Sequence, residues 1–189
     1  MTKKNRNTIS NIATIISIVA MFISCEGSLK DVQKINRSSF LPSGEADSIN
    51  LKYTDSGRIK SVLRSKKMLD YSNIENGFTE FPQGVLVTMF DENNKTTVIQ
   101  SNYAITYKKT DIIDLQGNVI ITSHDGKKLE TEQLYFDQKN EWFFTERHFK
   151  YSDGTGGFLQ GPGVDFSKDF KIFNMQTSNG EINNVDEQQ

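Results

Sequence analysis

Apolar and polar residues alternate in short runs through the centre of the chain, and turn residues separate the runs. From Asp114 to Glu146 this pattern predicts three strands, with turns at Asp125-Gly126 and Lys139-Asn140. A period of two sends successive side chains to opposite faces of a sheet, so each strand has a core side and a solvent side. The Asp-Gly pair favours a tight hairpin, because both residues tolerate a positive φ.

The unit of strand, acidic turn and strand recurs along the chain. Its turn aspartates are residues 55, 91, 125 and 153, at intervals of 36, 34 and 28. The middle two units also correspond beyond the turn, since residues 82–88 parallel 116–122 and residues 99–104 parallel 129–134. Such a repeat indicates one structural unit used several times, with three or four short strands in each. The alternative is an ordinary sandwich of unrelated hairpins, because only two units align at more than the turn.

Composition favours strands in the domain that follows the N-terminus. The chain has 189 residues, with 13 Phe, 6 Tyr and three Pro. No amphipathic helix is evident there, so we predict a single all-β domain over residues 48–176. The polar, turn-rich stretch 25–47 is expected to be a tether, and residues 177–189 a flexible tail.

The first 24 residues have the pattern of a secretory signal peptide. A basic start at residues 3–6 precedes a mostly apolar run over residues 9–23, which is shorter than the roughly 20 residues of a membrane-spanning helix. Cys25, the only cysteine, follows this run, and the segment 22–25 resembles the lipobox of bacterial lipoproteins. We therefore predict that Cys25 is lipidated. The alternatives are a free thiol and an uncleaved anchor helix that starts near Ile9.

The charge balance argues against a general binder of nucleic acid or of anionic surfaces. The whole chain has a net charge of −2, and removal of residues 1–24 leaves 19 Lys+Arg against 24 Asp+Glu, a net charge of −5. One basic run stands out, and it comprises Arg58, Lys60, Arg64, Lys66 and Lys67. This run could meet phosphates or membrane headgroups. A solvated strand face is the simpler interpretation.

The sequence offers little to a catalytic interpretation. His124 adjoins an acidic turn and His148 lies in a polar stretch, so both are expected at the surface. Glu130 and Glu132 share one strand face, as paired catalytic carboxylates would, but they alternate with core positions and are expected to face water. No HExxH, GxSxG or nucleotide-binding glycine pattern occurs. We therefore expect neither enzyme activity nor a cofactor or metal.

Four motifs in the chain match a known family. They are Leu-x-Gly-Asn-Val (115–119), the Asp125-Gly126 turn, Leu-x-Thr-x-x-Leu-x-x-Asp (129–137) and Gly-x-Gly-x-x-Phe (161–166). With them, residues 47–175 resemble the LptC and OstA-like domains of the lipopolysaccharide transport family Lpt. The resemblance implies a single open β-jellyroll of repeated antiparallel strand-turn-strand units. It also implies a groove in which the acyl chains of lipid A lie.

The resemblance further implies a non-catalytic carrier of lipopolysaccharide. An LptC subunit receives this lipid from the inner-membrane transporter LptBFG and passes it to the periplasmic bridge protein LptA, through domains that join edge to edge. The expected location is the periplasm, with a membrane anchor at Cys25 and the inner membrane favoured. Many LptC proteins have a transmembrane helix instead, so this anchor departs from the family pattern. The alternative is an outer-membrane lipoprotein with a structural or glycan-binding β-sandwich.

Alternation along the strands selects the residues expected to line the groove. They are Tyr53, Ile59, Leu63, Val87, Met89, Ile105, Val119, Ile121, Leu129, Phe144, Phe149 and Phe158. The inner face is also predicted for Leu51, Val85, Ile99 and Leu134. The pattern leaves open whether these side chains fill a closed core or border an open groove. The last apolar strand, with Phe170, Ile172 and Phe173, is predicted to be the edge that pairs with the next protein.

Overall fold

The computed structural model describes residues 41–175 and 179–181, and all of these except Leu41 belong to the compact unit Pro42–Gln189. The described residues form twelve strands of one antiparallel sheet and no helix. In chain order the strands are β1 (Gly44–Asp55), β2 (Arg58–Tyr71), β3 (Phe78–Phe81), β4 (Val85–Phe90), β5 (Thr96–Ser101), β6 (Tyr103–Tyr107), β7 (Ile112–Ser123), β8 (Lys128–Asp137), β9 (Trp142–Ser152), β10 (Phe158–Ser167), β11 (Phe173–Met175) and β12 (Asn179–Glu181). The prediction of an all-β, open β-jellyroll is confirmed.

Two long strands divide the sheet into two halves. β2 pairs with β4 through residues 61–64 and with β3 through residues 69–71. Likewise, β7 pairs with β6 through residues 112–116 and with β5 through residues 120–123. The sheet therefore runs from β2 to β7 along two arms. We call β4, β5 and the strand segments in line with them the upper half-sheet, and β3, β6 and their continuation the lower half-sheet.

The two halves meet at a crease, where the chain breaks or bulges. Between β3 and β4 the crease contains Gly84, with φ +79°, and within β7 it contains Gly117 and Asn118, with φ of +72° and +47°. The register of β7 against β8 shifts at this second point. Both points lie in the paired segments 82–88 and 116–122, so the sequence repeat corresponds to a structural repeat. An extra residue in one strand bends the strand and re-aims the residues after it.

A row of hydroxyl groups follows the crease from strand to strand. Each hydroxyl satisfies a backbone group that the bend removes from the regular ladder. Ser65 Oγ donates to Gly84 O (2.6 Å), Ser101 Oγ to Tyr103 O (2.9 Å) and Thr131 Oγ1 to His148 O (3.0 Å), while Thr145 Oγ1 accepts from Arg147 N (3.0 Å). Ser101, Thr131 and Thr145 are buried. Buried backbone groups without partners would be costly, so these hydroxyls stabilise the bend.

The acidic turns have a structural role. Asp91 Oδ1 accepts from the backbone N of Asn93 and of Lys95, each at 2.8 Å, and Asp153 Oδ1 accepts from Thr155 N at 2.7 Å. These are the local bonds by which aspartate favours turns. At the other end of the strands, backbone hydrogen bonds join neighbouring turns. The N atoms of Lys108, Gln138 and Lys168 donate to the carbonyl oxygens of Gly77, Asp111 and Glu141.

The ends of the sheet extend beyond the predicted domain. β1 begins at Gly44, so residues 44–47 of the expected tether belong to the sheet, where they pair with residues 67–70 of β2. β12 lies in the expected tail, and it pairs with residues 158–160 of β10. Backbone hydrogen bonding to a neighbouring strand needs no apolar pattern, which explains why composition placed both boundaries elsewhere. The predicted signal peptide and Cys25 lie outside the described residues.

The crease makes a prediction at Gly84. A Cβ there would lie 2.4 Å from the carbonyl oxygen of Ser101, whereas a Cβ on Gly57, with φ +78°, would meet no atom within 4 Å. Gly57→Ala should cost about 1–2 kcal/mol of unfolding free energy from backbone strain alone. Gly84→Ala should cost roughly 2 kcal/mol more, because the crease must also move. Urea denaturation measures both, and equal losses would contradict a tightly packed crease.

Candidate functional site

A cavity of about 1230 Å³ lies between the two half-sheets, where residues of β1 to β8 line it and turns as far as Phe170 form its rim. Small-molecule sites usually measure about 300–1,000 Å³, so this cavity is large for a chain of this size. Apolar side chains from both halves line it: Leu63, Val87, Met89 and Ile99 from the upper half-sheet, and Phe81, Ala104, Ile113, Leu115 and Phe136 from the lower one. An elongated apolar guest matches this lining.

Side-chain size explains where the space lies. One inner row of the lower half-sheet runs Thr79, Thr106, Ile113, Phe136, Phe143, Phe166 and Phe173 across neighbouring strands. The threonines at the start of this row leave room, whereas Phe143 and Phe166 are fully buried. The upper inner row shows the same change, since Leu63, Val87 and Ile99 border the cavity and Ile121 and Leu129 are fully buried. The groove is therefore open at the N-terminal end and filled at the C-terminal end.

Phe170 marks the boundary between the open and the filled parts. Its ring centroid lies 5.0 Å from that of Phe166, and its side chain also borders the cavity. The backbone of Phe170 has φ +58°, which is uncommon for a bulky residue. Ser167 holds this turn, because its carbonyl accepts from Phe170 N at 2.8 Å and its hydroxyl from Ile172 N at 3.0 Å.

The rim of the cavity consists of turns whose charges are mostly paired. Lys60 lies 2.6 Å from Glu92, Lys127 lies 2.8 Å from Asp125, and Lys168 lies 2.8 Å from Glu141. The hydrogen bond to Glu92 raises the pKa of Lys60, and the one to Asp125 raises the pKa of Lys127. Lys60 and Lys127 therefore remain cationic at neutral pH, and each of the three lysines has a carboxylate partner that offsets its charge. The apolar floor therefore dominates the chemistry of the site.

Neither a cluster of metal-ligating side chains nor a membrane-spanning helix occurs among the described residues. They contain no group of three or more His, Cys, Asp and Glu side chains that could hold a metal ion. Nor does this part of the chain contain a helix with the length and apolarity that crossing a bilayer requires.

The family comparison agrees with this architecture. The family model described as lipopolysaccharide-assembly, LptC-related, matches residues 13–178. The chain belongs to this family. LptC-related proteins take part in lipopolysaccharide transport in the cell envelope, and the resemblance found in the motifs is thereby confirmed. A search of curated proteins found no match.

The predicted groove residues of this LptC-related protein fall into distinct environments. Tyr53, Leu63, Val87 and Met89 border the cavity, as do Leu51, Val85 and Ile99. Val119, Ile121, Leu129, Leu134 and Phe149 are fully buried in the filled part. Ile59 is 44% exposed and lies outside the cavity lining. Sequence reasoning missed Met68, Phe81, Ala104, Ile113, Leu115 and Phe136, although Leu134 and Phe136 do alternate along β8.

Three predicted inner residues have the opposite orientation. Ile105, Phe144 and Phe158 lie on the outer face, since their neighbours Ala104, Phe143 and Leu159 contribute to the core. In each case adjacent residues are both apolar, so a period of two does not select a face. On β6 the larger side chains even face outward, and the cavity receives Ala104 and Thr106. The inward orientation predicted for these three residues is wrong.

The remaining candidates lie at the surface or in ion pairs. Arg58 and Lys60 both pair with Glu92, and Lys67 pairs with Glu45, so the basic run is largely a solvated, paired strand face. His124 and His148 are exposed, as expected. Glu132 is exposed too, and Glu130 pairs with Lys128 at 2.6 Å.

The two edges of the sheet differ in length. β1 pairs only with β2, so its other side presents twelve residues without a strand partner in the described chain. At the opposite end, β11 and β12 cover β10 with three residues each. Of the predicted edge residues, Phe173 lies in β11, while Phe170 belongs to the preceding turn and Ile172 is 54% exposed.

The turn that positions Phe170 makes a pH prediction at Asp169. The Ser167 hydroxyl and then Lys171 lower the pKa of Asp169 from 3.8 to about 2. Since the folded state favours the charged form, its stabilising effect is present above pH about 4 and is lost as the pH falls towards 2. Asp169→Asn should therefore lower the free energy of unfolding at pH 7 and have little effect near pH 2. Urea denaturation of both proteins across this range measures the difference, and a pH-independent difference would contradict the assignment.

Proposed function

We propose that this protein is a non-catalytic carrier of lipopolysaccharide in the export bridge, and that its cavity holds the acyl chains of lipid A. The observation that carries the proposal is the apolar cavity between the half-sheets of a chain that belongs to the LptC-related family. Each methylene removed from water contributes about 0.8 kcal/mol, so a 14-carbon chain would gain on the order of 10 kcal/mol before ordering costs. Such binding needs no catalytic group.

The taper of the groove fits a carrier that releases its cargo. A guest fills the N-terminal part, while the packed aromatic side chains of the C-terminal part limit how deeply it enters. Transfer to a neighbour then requires a continuous apolar path past Phe170. Because the charges of the rim are paired with one another, the affinity for the guest comes from apolar contact. Apolar contact is non-directional, so the guest can move along the groove.

The two sheet edges supply the contacts of a bridge. In this proposal β1 joins the LptBFG transporter, and the C-terminal edge with Phe170, Ile172 and Phe173 joins an LptA-like bridge protein. Unpaired strand edges are normally a liability, which strand addition by a partner satisfies. Lipidation of Cys25 anchors the domain on the periplasmic side of the membrane, the inner one favoured.

Crosslinking in cells tests the cargo at two adjacent residues. A photo-crosslinking amino acid at Val87, which borders the cavity, should trap lipopolysaccharide. The same probe at Leu86, which is 37% exposed on the outer face, should not. Fully buried Ile121 should trap little, because the guest does not reach it. Trapping at Leu86 equal to that at Val87 would exclude a guest confined to the cavity.

A second crosslinking pair tests the edges. A probe at exposed Asn50 on β1 should trap a transporter subunit, and a probe at Ile172 should trap the bridge protein. Western blotting for each partner distinguishes the products. If both positions trapped the same protein, the proposed polarity of the domain would be wrong.

A further inference from the structure

The outer face of the lower half-sheet bears a band of aromatic side chains, and all of them except Trp142 at the rim lie away from the cavity lining. Its members, which we call the aromatic band, are partly exposed and adjacent across strands. They are Tyr71, Phe78, Tyr103, Tyr107, Tyr135, Trp142 and Phe144. Ring centroids lie 4.6 Å apart for Tyr71 and Phe78, and 5.1 Å apart for Tyr135 and Phe144. The band thus contains two stacked pairs of rings, and Tyr107 lies tilted against Phe78.

The upper half-sheet provides an internal comparison. Two outer rows cross it, and they comprise Val62, Thr88, Val98, Thr122, Lys128, Ser152 and Phe158, and Arg64, Leu86, Gln100, Ile120, Glu130, Lys150 and Gln160. Only Phe158 among them is aromatic, and Phe90 follows at the outer end of β4. Sheet packing alone would not concentrate aromatic side chains on one half, because the long strands β2 and β7 to β10 contribute to both outer faces. The concentration on the lower half indicates a role at its surface.

A hydrogen-bond network lies within the band, centred on Asp114. This carboxylate is only 5% exposed although it lies on the outer face. It accepts from Gln116 Nε2 at 2.7 Å and from Gln133 Nε2 at 2.9 Å, and the second amide also donates to Tyr135 Oη at 2.7 Å. The amide oxygens of Gln116 and Gln133 accept no hydrogen bond from the described residues. Rigid amides with free oxygens are ready acceptors for hydroxyl groups.

Two separate hydrogen bonds lie elsewhere in the band. Tyr103 Oη donates to Glu80 Oε1 at 2.7 Å, and Trp142 Nε1 donates to Asp165 Oδ1 at 3.1 Å. Burial, followed by the charge of Asp114, raises the pKa of Tyr107, so its hydroxyl keeps its proton at neutral pH. Acceptors and donors therefore alternate with ring faces across the band.

The charge of the aromatic band restricts the kinds of ligand that it can bind. The cross-strand rows that form the band contain the carboxylates of Glu80, Asp114, Asp137 and Asp165 and neither lysine nor arginine. The charge of Arg147, which lies near the crease, opposes the burial that raises the pKa of Tyr135. An acidic face repels phosphates, nucleic acid and anionic lipid surfaces. It suits a neutral or amino-substituted ligand with many hydroxyl donors and with C–H faces that lie flat on rings.

We propose that the aromatic band is a saccharide-binding face, with the rings stacking on sugar C–H faces and with Gln116, Gln133 and Glu80 accepting sugar hydroxyls. Apart from Trp142 at the rim, the sheet separates this face from the cavity, so saccharide binding does not require the proposed lipid cargo. The occupant is a neutral or amino-substituted glycan of the cell envelope, because the carboxylates of the band repel the phosphate-bearing sugars of lipopolysaccharide.

The only tryptophan of the chain gives a direct test, because Trp142 lies at the end of the band. Trp142 also borders the cavity, so the probes are sugars without acyl chains, which the apolar cavity does not favour. Full-length protein in a detergent without a sugar headgroup is titrated with a tetramer of N-acetylglucosamine and, separately, with the oligosaccharide released from lipopolysaccharide. Tryptophan emission should change saturably with the N-acetylglucosamine tetramer and not with the lipopolysaccharide oligosaccharide. A change with the second probe alone would contradict the selection of a neutral or amino-substituted ligand by the charge of the band. Absence of a saturable change with both, in protein with intact near-ultraviolet circular dichroism, would overturn the proposal.

Matched variants test whether the saccharide binds at the aromatic band. Phe144→Ala should weaken binding about fivefold through loss of a stacking partner, whereas Phe158→Ala, on the outer face of the upper half-sheet, should leave it unchanged. Tyr71→Ala serves as a second variant at the far end of the band if Phe144→Ala fails to fold. Equal weakening by Phe158→Ala would exclude the band as the site. Lipid crosslinking at Val87 should persist in Phe144→Ala, so failure of one proposal is distinguishable from failure of the other.

Discussion

The crease is the constraint on which the rest of the structure depends. At this line each strand of one continuous sheet breaks or bulges, and the hydroxyls of Ser65, Ser101, Thr131 and Thr145 bond the backbone groups that leave the ladder. Without such partners the bend would leave buried polar groups unsatisfied, and a regular sheet would be favoured. Because the bend recurs at the same level in successive strands, two half-sheets face each other and enclose an apolar space.

One part of the enclosed space is filled by side chains that stabilise the fold, and the other part is open to a guest. In the C-terminal part, Phe143, Phe149 and Phe166 are fully buried and form a packed core. Because the chain has a single cysteine, it can form no internal disulfide, and its stability depends on this core. In the N-terminal part, Thr79 and Thr106 are too small to fill the gap opposite Leu63 and Val87. One strand architecture thus supplies a rigid end and an open end. The difference depends on side-chain volume, since the same two half-sheets border both parts.

Sequence reasoning succeeded where one face of a strand is apolar and the other is polar. On β4 and on the second half of β7, alternation correctly placed Val85, Val87, Val119 and Ile121 inside, and Asp125-Gly126 correctly marked a turn. It failed at Ile105, Phe144 and Phe158, where adjacent residues are apolar and the outer face of the sheet bears a large side chain. On β6 and β9 the cause is the aromatic band, which puts large apolar side chains on the solvent face as well.

By itself, the sequence determined the strand class, the repeated unit, the turn positions and the family, because these depend on local periodicity, turn chemistry and short motifs. The tertiary structure alone decided that Leu63, Val87 and Ile99 border an open groove while Ile121 and Leu129 are fully buried on the same row of the sheet. That distinction depends on the volume of side chains on the facing half-sheet. No periodicity within one strand contains this information, since the facing residues are distant in the chain and meet only when the sheet folds at its crease.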